Sequence, residues 1–363
     1  MLVKRSPWTG RRVLVTGDSG FKGGWLSLWL HQLGANVTGY SLAPPSDPSF
    51  FGQTRLADLI EHVHGDVRSL DQVMDVVERT RPEVVFHLAA QPLVRHSYAE
   101  PVETYATNVM GTVHVLEACR QVDGVAAAVC VTTDKCYENR EWVWPYRESD
   151  PMGGHDPYSS SKGAAEIAIA AYRRSYFAND GTAVASVRAG NVIGGGDWAA
   201  DRLIPDIIRA VESGQRPLIR NPDSIRPWQH VFDALSGYML VAERLLSGDR
   251  SAACAFNFGP SEDDARSVSW VVSRLLEDLG GSGWDQPEGN QPHEAVLLRL
   301  DSSKARNELG WRPVFSLEQA LGKVANWHRA VAAGEDAHQV SVAQLQEFEV
   351  ARSMVMAGQG VTA

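Results

Sequence analysis

The sequence predicts an α/β chain built on a doubly wound parallel sheet, followed by a smaller mixed α/β region. Three observations lead there. Short apolar runs of strand length, at 13–15, 36–40, 84–88, 126–131 and 184–187, alternate with stretches of helical period, and strands alternating with helices form parallel sheets. The first run passes directly into a glycine-rich turn, then into a helix marked by Trp25, Leu26, Trp29, Leu30 and Leu33 and stopped by Gly34. The run at 126–131 is apolar throughout, as a strand buried on both faces must be.

Length and composition set the bounds. At 363 residues and 44% hydrophobic content, the chain can bury the core of one large domain and a smaller one. No stretch approaches the roughly 18 apolar residues of a membrane span, and the amino terminus lacks an apolar signal core. A cytoplasmic location without membrane attachment is therefore expected. Cys119, Cys130, Cys136 and Cys254 show no Cys-x-x-Cys spacing and read as small packing residues, so neither a disulfide framework nor a metal site is expected. A formal charge of −10 argues against nucleic acid as a partner and leaves any anionic ligand to local donors.

In the first turn Gly17, Gly20 and Gly23 recur at three-residue spacing around Ser19 and Phe21. Such a turn lets backbone pass close to a diphosphate, whose charge is met by amide N–H groups and the positive end of the helix. The strand before it and the helix after it supply the context this motif requires. After the second strand a dinucleotide fold carries an acid for the ribose hydroxyls or an arginine for the phosphate of NADP. Tyr40-Ser41-Leu42-Ala43-Pro44-Pro45 has neither, and the lack of a basic residue favours NAD. A third strand is expected over 63–67, ending in Asp66 and Val67, where the carboxylate either accepts from an adenine amino group or pairs with Arg68. Ser69 to Gln72 resembles a capping box opening a helix towards Arg81. The fourth strand leads into Leu88-Ala89-Ala90-Gln91, where small residues leave room for a ligand, and a longer helix over about 101–120 carries Asn108.

The fifth strand should deliver Thr132, Thr133, Asp134 and Lys135 to its carboxyl edge, where open α/β sheets bind ligands. Downstream, Asp156 suits an N-cap and Pro157 the first helical position, which sets Tyr158 and Lys162 one turn apart on one face. A cation close to a tyrosine favours its phenolate and makes it a usable base near neutral pH. Beyond Asn191 the texture changes to Gly194-Gly195-Gly196-Asp197-Trp198, then to helical pieces carrying Arg202, Arg220 and Arg226, with His230 close behind. Arginine suits bidentate contact with phosphate oxygens, so this region reads as substrate-facing. Helices are expected over 267–279 and from a cap at 301–305, and the last thirty or so residues read as a helical or frayed tail.

With the glycine turn, His87-Leu88-Ala89-Ala90-Gln91, Asn108, Thr133, Tyr158 and Lys162 in this order, residues 10 to about 325 resemble the extended short-chain dehydrogenase/reductase family. Within it the chain is similar to the sugar-nucleotide 4,6-dehydratases. Thr133-Asp134-Lys135 replaces their commoner Thr-Asp-Glu; with Phe21 to Trp25 and Asn191 to Trp198 it looks most like the branch acting on CDP-glucose.

The resemblance implies a Rossmann-type NAD domain over 1–190, rejoined by about 229–258, a sugar-nucleotide domain over 191–228 and 259–330, and a tail over 331–363. It further implies a homodimer or dimer of dimers packed through helices at about 101–120 and 158–177. NAD would be held by Gly17, Ser19, Gly20, Phe21, Gly23, Asp66, Val67, Leu88, Ala89, Ala90, Gln91, Asn108, Thr132, Tyr158 and Lys162. CDP-glucose, the implied substrate, would meet Gln91, Asn191, Arg202, Arg220, Arg226 and His230. In the implied reaction Tyr158 removes the proton of the carbon 4 hydroxyl, Thr133 holds that oxygen, and Lys162 lowers the tyrosine pKa and binds the nicotinamide ribose. Asp134 protonates the hydroxyl leaving carbon 6. Lys135 either takes the carbon 5 proton as a neutral base or stabilises the developing enolate as a cation. A nucleotide-sugar 4-epimerase shares Tyr158, Lys162 and the glycine turn but has no need of Asp134 and Lys135, and a catalytically silent NAD-binding protein needs none of the set.

Overall fold

The computed structural model describes residues 6–178, 181–261, 264–287 and 297–359. Strands β1 (Arg12–Thr16), β2 (Asn36–Ser41), β3 (Glu61–His64), β4 (Val84–His87), β5 (Ala127–Val131), β6 (Ala183–Ala189) and β9 (Ala255–Phe258) form a seven-stranded parallel sheet in the order β3-β2-β1-β4-β5-β6-β9. The chain runs outward from β1 to β3, then returns to lay β4 on the other side of β1. A crevice opens at that reversal, beyond the carboxyl ends of the strands.

Side chains alternate across each strand, and here both sets are apolar. Val13 and Val15, Val84 and Phe86, Val129 and Val131, and Ala185 and Val187 join one core cluster, while Leu14, Val85, Ala128, Cys130 and Val184 join another on the opposite face. Helices must therefore cover both faces. The first is covered by α1 (Phe21–Gln32) and α9 (Val231–Leu246), beside the short α2 (Phe50–Gln53); the second by α3 (Leu70–Thr80), α6 (Gly111–Gln121) and α7 (Pro157–Ser175). The single apolar face expected for α1 proves too narrow: Gly23 through Leu30 are all buried, because Phe50, Phe232 and Phe348 pack its tryptophans from several sides.

Two boundaries differ from expectation. The third strand occupies Glu61–His64, so Gly65, Asp66 and Val67 lie past its end. The Tyr40 ring fills that corner: a Cβ on Gly65 would sit 2.2 Å from it. The long helix over about 101–120 consists of α5 (Pro101–Tyr105) and α6 joined by a π turn at Ala106–Met110, preceded by α4 (Val94–Ala99). Asn108 lies in that turn, a distortion that often serves to aim a residue.

A second, three-stranded sheet pairs β8 (Ile225–His230) in parallel with β7 (Asn191–Ile193) and antiparallel with β10 (Ala265–Ser267). Its core is shared with α8 (Leu203–Glu212), α10 (Val268–Leu279) and α11 (Leu317–Ala332), through Ile207, Val272, Leu275 and Val324 among others. The tail folds back as α12 (Ala337–Gln359). Phe348 is fully buried against Trp29, Phe232 and Phe315, and Trp29 Nε1 donates to Glu349 Oε1 at 2.9 Å. The helix the sequence left without a role is part of the main core. Phe348→Ala should therefore cost about 3–5 kcal/mol, the usual range for truncating a buried aromatic; urea denaturation giving a loss under about 1 kcal/mol would place α12 outside the cooperative core.

Candidate active site

The site begins where backbone meets backbone. Gly17 has φ 80°, and a Cβ there would lie 2.7 Å from the Ala89 nitrogen; one on Gly23 would lie 2.0 Å from the Gly17 carbonyl oxygen. Glycine at both positions lets β1, the residues after β4 and the first turn of α1 close on one another. Gly20 is the N-cap of α1 and makes no side-chain cap, and a Cβ added to it would meet only the Gly17 oxygen, at 3.3 Å. Helix-end N–H groups and the positive end of α1 are thus presented at the sheet edge, a donor set suited to a diphosphate.

Next to this turn Asp18 reaches back over β2, a contact not expected from its place in the sequence. A Cβ on Gly39 would lie 2.0 Å from Asp18 Oδ2. Ser41 Oγ donates to Asp18 Oδ1 at 2.8 Å, and His62 Nδ1 lies 2.7 Å from Oδ2. Asp18 is thus engaged within the fold, and the second-strand turn presents Ser41 and Leu42 to the cavity. Asp66 lines the cavity too, with its carboxylate held by the backbone N–H and Nε of Arg68 at 2.9 and 2.8 Å.

A cavity of about 660 Å³ runs from the glycine turn across the sheet edge to the second sheet, within the size range of small-molecule sites. Gly17, Ser19, Gly20, Phe21, Gly23, Asp66, Val67, Leu88, Ala89 and Ala90 line one end; Thr132, Thr133, Asp134, Lys135, Tyr158 and Lys162 its floor; Asn191, Arg202, Arg220 and Arg226 the other end. Three of the expected residues lie outside this lining. Gln91 turns away, donating to Thr104 Oγ1 at 2.8 Å and accepting from the Leu93 N–H. Asn108 clamps the Gln91 backbone N–H and carbonyl at 2.9 and 3.0 Å and donates to Ser161 Oγ at 2.9 Å, so it braces α7 against the strand end. His230 is fully buried, accepts from the Phe232 N–H as the N-cap of α9, and packs on Phe232 and Phe315; burial pushes its pKa down to about 3. Its side chain completes a helix end.

The floor is assembled by two local devices. Thr133 caps the short turn Asp134–Cys136 through its hydroxyl, which accepts from the Lys135 N–H at 3.3 Å. Asp156 accepts from the Ser159 N–H at 2.9 Å and Pro157 opens α7, as the sequence predicts. The Thr133 hydroxyl donates to Asp134 Oδ1 at 2.9 Å, while Asp134 Oδ2 has no protein partner. Gly190 leaves room for that oxygen, since a Cβ there would be 3.0 Å from it.

Desolvation dominates the titration of this group. Burial raises Asp134, opposed by Lys135, the Thr133 hydroxyl and Arg226, which favours its protonated form. Burial raises Tyr158 to about 12, with Thr133 and Arg202 pulling down and Asp134 pushing up. The expected effect of Lys162 on the tyrosine is not what governs it: Lys162 Nζ donates to the Val131 carbonyl at 3.4 Å, and burial lowers its own pKa to about 8.

Lys22 also lines the cavity. Burial, followed by Arg202 and Lys162, brings it down to about 7, against Asp134 and Asp197. The signal for it was present: a lone cation in the otherwise apolar and small run from Gly20 to Leu30. Asp197 pairs with Arg202 at 3.0 Å, and both belong to the same charged cluster.

The comparisons with known proteins agree with this geometry. The sequence profile of the GDP-mannose 4,6 dehydratase family matches residues 14–324. The chain is 53% identical over 341 residues to CDP-glucose 4,6-dehydratase of Salmonella typhimurium, covering 92% of this chain and 95% of that protein. Among solved structures, dTDP-glucose 4,6-dehydratase of Streptomyces venezuelae with NAD bound superposes with a TM-score of 0.75 at 25% identity, covering 90% and 99% of the two chains. UDP-glucose 4-epimerase of Thermotoga maritima shares the fold, with a TM-score of 0.77 at 23% identity over 88% and 99%. A match over residues 14–324, together with 53% identity across most of the chain, shows that the chain belongs to the GDP-mannose 4,6-dehydratase family of extended short-chain dehydrogenase/reductases.

Proposed function

We propose that the protein converts CDP-glucose to CDP-4-keto-6-deoxyglucose and water. The observation that carries this reading is the placement of a buried carboxyl, Asp134, whose pKa burial raises, and a lysine, Lys135, in the same cavity as Thr133 and Tyr158. An elimination needs an acid and a base in addition to the group that serves the oxidation at carbon 4, whereas epimerisation at carbon 4 needs no such second pair. The 53% identity to a CDP-glucose 4,6-dehydratase supports cytosine as the base.

The residues fit NAD. Gly17, Gly20 and Gly23 leave the cradle, the end of α1 carries the donors, and Leu88, Ala89 and Ala90 bound it with small groups. When bound, NAD supplies a hydride acceptor and donor, so that oxidation at carbon 4 is later repaid by reduction at carbon 6. Lys162 would hold the nicotinamide ribose. Tyr158 takes the carbon 4 hydroxyl proton, and Thr133 holds that oxygen in line with it. Asp134 gives its proton to the hydroxyl leaving carbon 6. Lys135 acts at carbon 5, as a neutral base or as a cation beside the developing enolate. Arg202, Arg220 and Arg226, with Asn191, meet the nucleoside diphosphate.

Val102 and Tyr105 of α5, Met110 of the π turn and Ile167 of α7 are exposed apolar side chains. These elements contact one another, and a second copy of the chain would cover these side chains, giving a homodimer or a dimer of dimers. The combined change Val102→Glu and Ile167→Glu should yield monomers by light scattering; a wild-type protein that is already monomeric removes this reading.

Mass spectrometry of CDP-, dTDP- and UDP-glucose, each incubated with the protein and NAD, should show loss of one water from CDP-glucose without NADH accumulating. An isomer of unchanged mass would instead transfer the reading to an epimerase. Asp134→Asn should slow elimination by roughly 10²–10⁴ while leaving oxidation intact, so absorbance at 340 nm should now build up; an unaltered rate of water loss would take Asp134 out of the acid role. Arg226→Ala should raise the substrate KM about 10- to 100-fold, the loss of a charged hydrogen bond. Solvent deuterium wash-in at carbon 5 by Lys135→Met separates the two roles of that residue: a base variant loses wash-in, a cation variant keeps it while eliminating slowly.

A further inference from the structure

Behind the floor of the cavity lies a second polar layer that the reaction above does not use. Glu166 stands one turn beyond Lys162 on α7, as Lys162 stands one turn beyond Tyr158. Its carboxylate is fully engaged. Arg188, from β6, grips it bidentately, Nε to Oε1 at 2.8 Å and the second terminal nitrogen to Oε2 at 2.7 Å. The Thr132 hydroxyl donates to Oε1 at 2.5 Å and the Ser186 hydroxyl to Oε2 at 2.8 Å. Arg188 donates onward to the Tyr137 hydroxyl at 2.6 Å, which donates to Asn257 Oδ1 at 2.7 Å. Every member of the chain is buried.

This layer grips the catalytic turn at both ends: Thr132 immediately precedes Thr133 and Asp134, and Tyr137 follows the short turn they open. We propose that Glu166, locked by Arg188, is a positioning residue that fixes the Thr132 to Tyr137 turn and sets a carboxylate one helical turn from Lys162. The inference rests on the dehydratase reading above for the reaction, although its central measurement does not.

The electrostatics point the same way. Lys162 faces Glu166 from its own helix, Cys130 from β5, Cys136 from the catalytic turn, His87 from β4 and Lys22 from α1. Burial pushes the two thiols up and His87 down to about 3, so all three are uncharged near neutral pH. Glu166 is the one anion among these groups. Burial lowers Lys162 to about 8, and Glu166 is the foremost influence against that fall. Removing it lowers the pKa further, so activity that needs cationic Lys162 is lost at a lower pH.

Two sets of variants test this. Glu166→Gln removes the anion but strands Arg188, a change that can unfold a protein; the double variant Glu166→Leu with Arg188→Leu removes both charges and is better tolerated. In whichever of these folds, the alkaline limb of kcat should move down by at least about half a pH unit, and the titration of ¹³C-labelled Lys162 should move with it in the absence of substrate. Thr132→Val, which keeps shape and loses the bond to Glu166, should lower kcat about tenfold or more, and Thr132→Ser should restore it. A folded Glu166 variant whose Lys162 titration and alkaline limb match the wild type overturns the charge role. A Thr132→Val enzyme with wild-type kcat overturns the positioning role. Failure of the dehydratase reading looks different: the wild type itself releases no water, while the lysine titration still reports on Glu166.

Discussion

Removal of water from the carboxyl edge of the sheet is the constraint on which the rest of the site depends. Asp134 and Tyr158 are pushed up, Lys162 and Lys22 down, and in each case burial is the foremost cause. In water the same side chains would be an ionised acid, a neutral phenol and two ordinary ammonium groups. Packed under the cavity, Asp134 and the two lysines move towards one another in proton affinity, whereas burial holds the Tyr158 phenol in its neutral form more firmly than water does. That burial is a product of the fold, since strands apolar on both faces require helices on both sides, and the floor of the site lies between the end of β5 and the start of α7.

Dry sites penalise every charge they keep, and the structure compensates with specific partners. Asp197 stands against Arg202, and Glu166 is met by four donor groups. Asp18 is met by Ser41 and His62. What lacks a partner is the oxygen Asp134 Oδ2, beside the space that Gly190 leaves free. Buried polar groups are nearly always paired, so an unpaired one on a cavity floor is a group available to a substrate.

Much of this was legible beforehand. The Asp156 cap, the Pro157 start and the four-residue spacing of Tyr158 and Lys162 are local, and they appear as the spacing predicts. The glycine turn is local too, since its strand, turn and helix are contiguous. The placement of Gln91, Asn108 and His230 was not legible, because each has partners far along the chain or in a packed interior: Gln91 meets Thr104, Asn108 meets Ser161, and His230 is enclosed by Phe232 and Phe315. Periodicity cannot distinguish a polar residue that faces a ligand from one that braces a turn. The same holds for α12, whose sequence shows only a helix and whose Phe348 shows its purpose only against Trp29.

By itself the sequence determined the alternation of strands and helices as far as β6, the turn that must be glycine, and the residues carried to the sheet edge, because these follow from periodicity, caps and spacing within a few residues; the second sheet and β9 were legible only in the structure. The tertiary structure alone decided which of those residues share the cavity and in what state of charge. Proton affinity depends on burial and on neighbours brought from other strands, such as Arg226 beside Asp134 and Arg202 beside Tyr158, and neither is a property of local sequence.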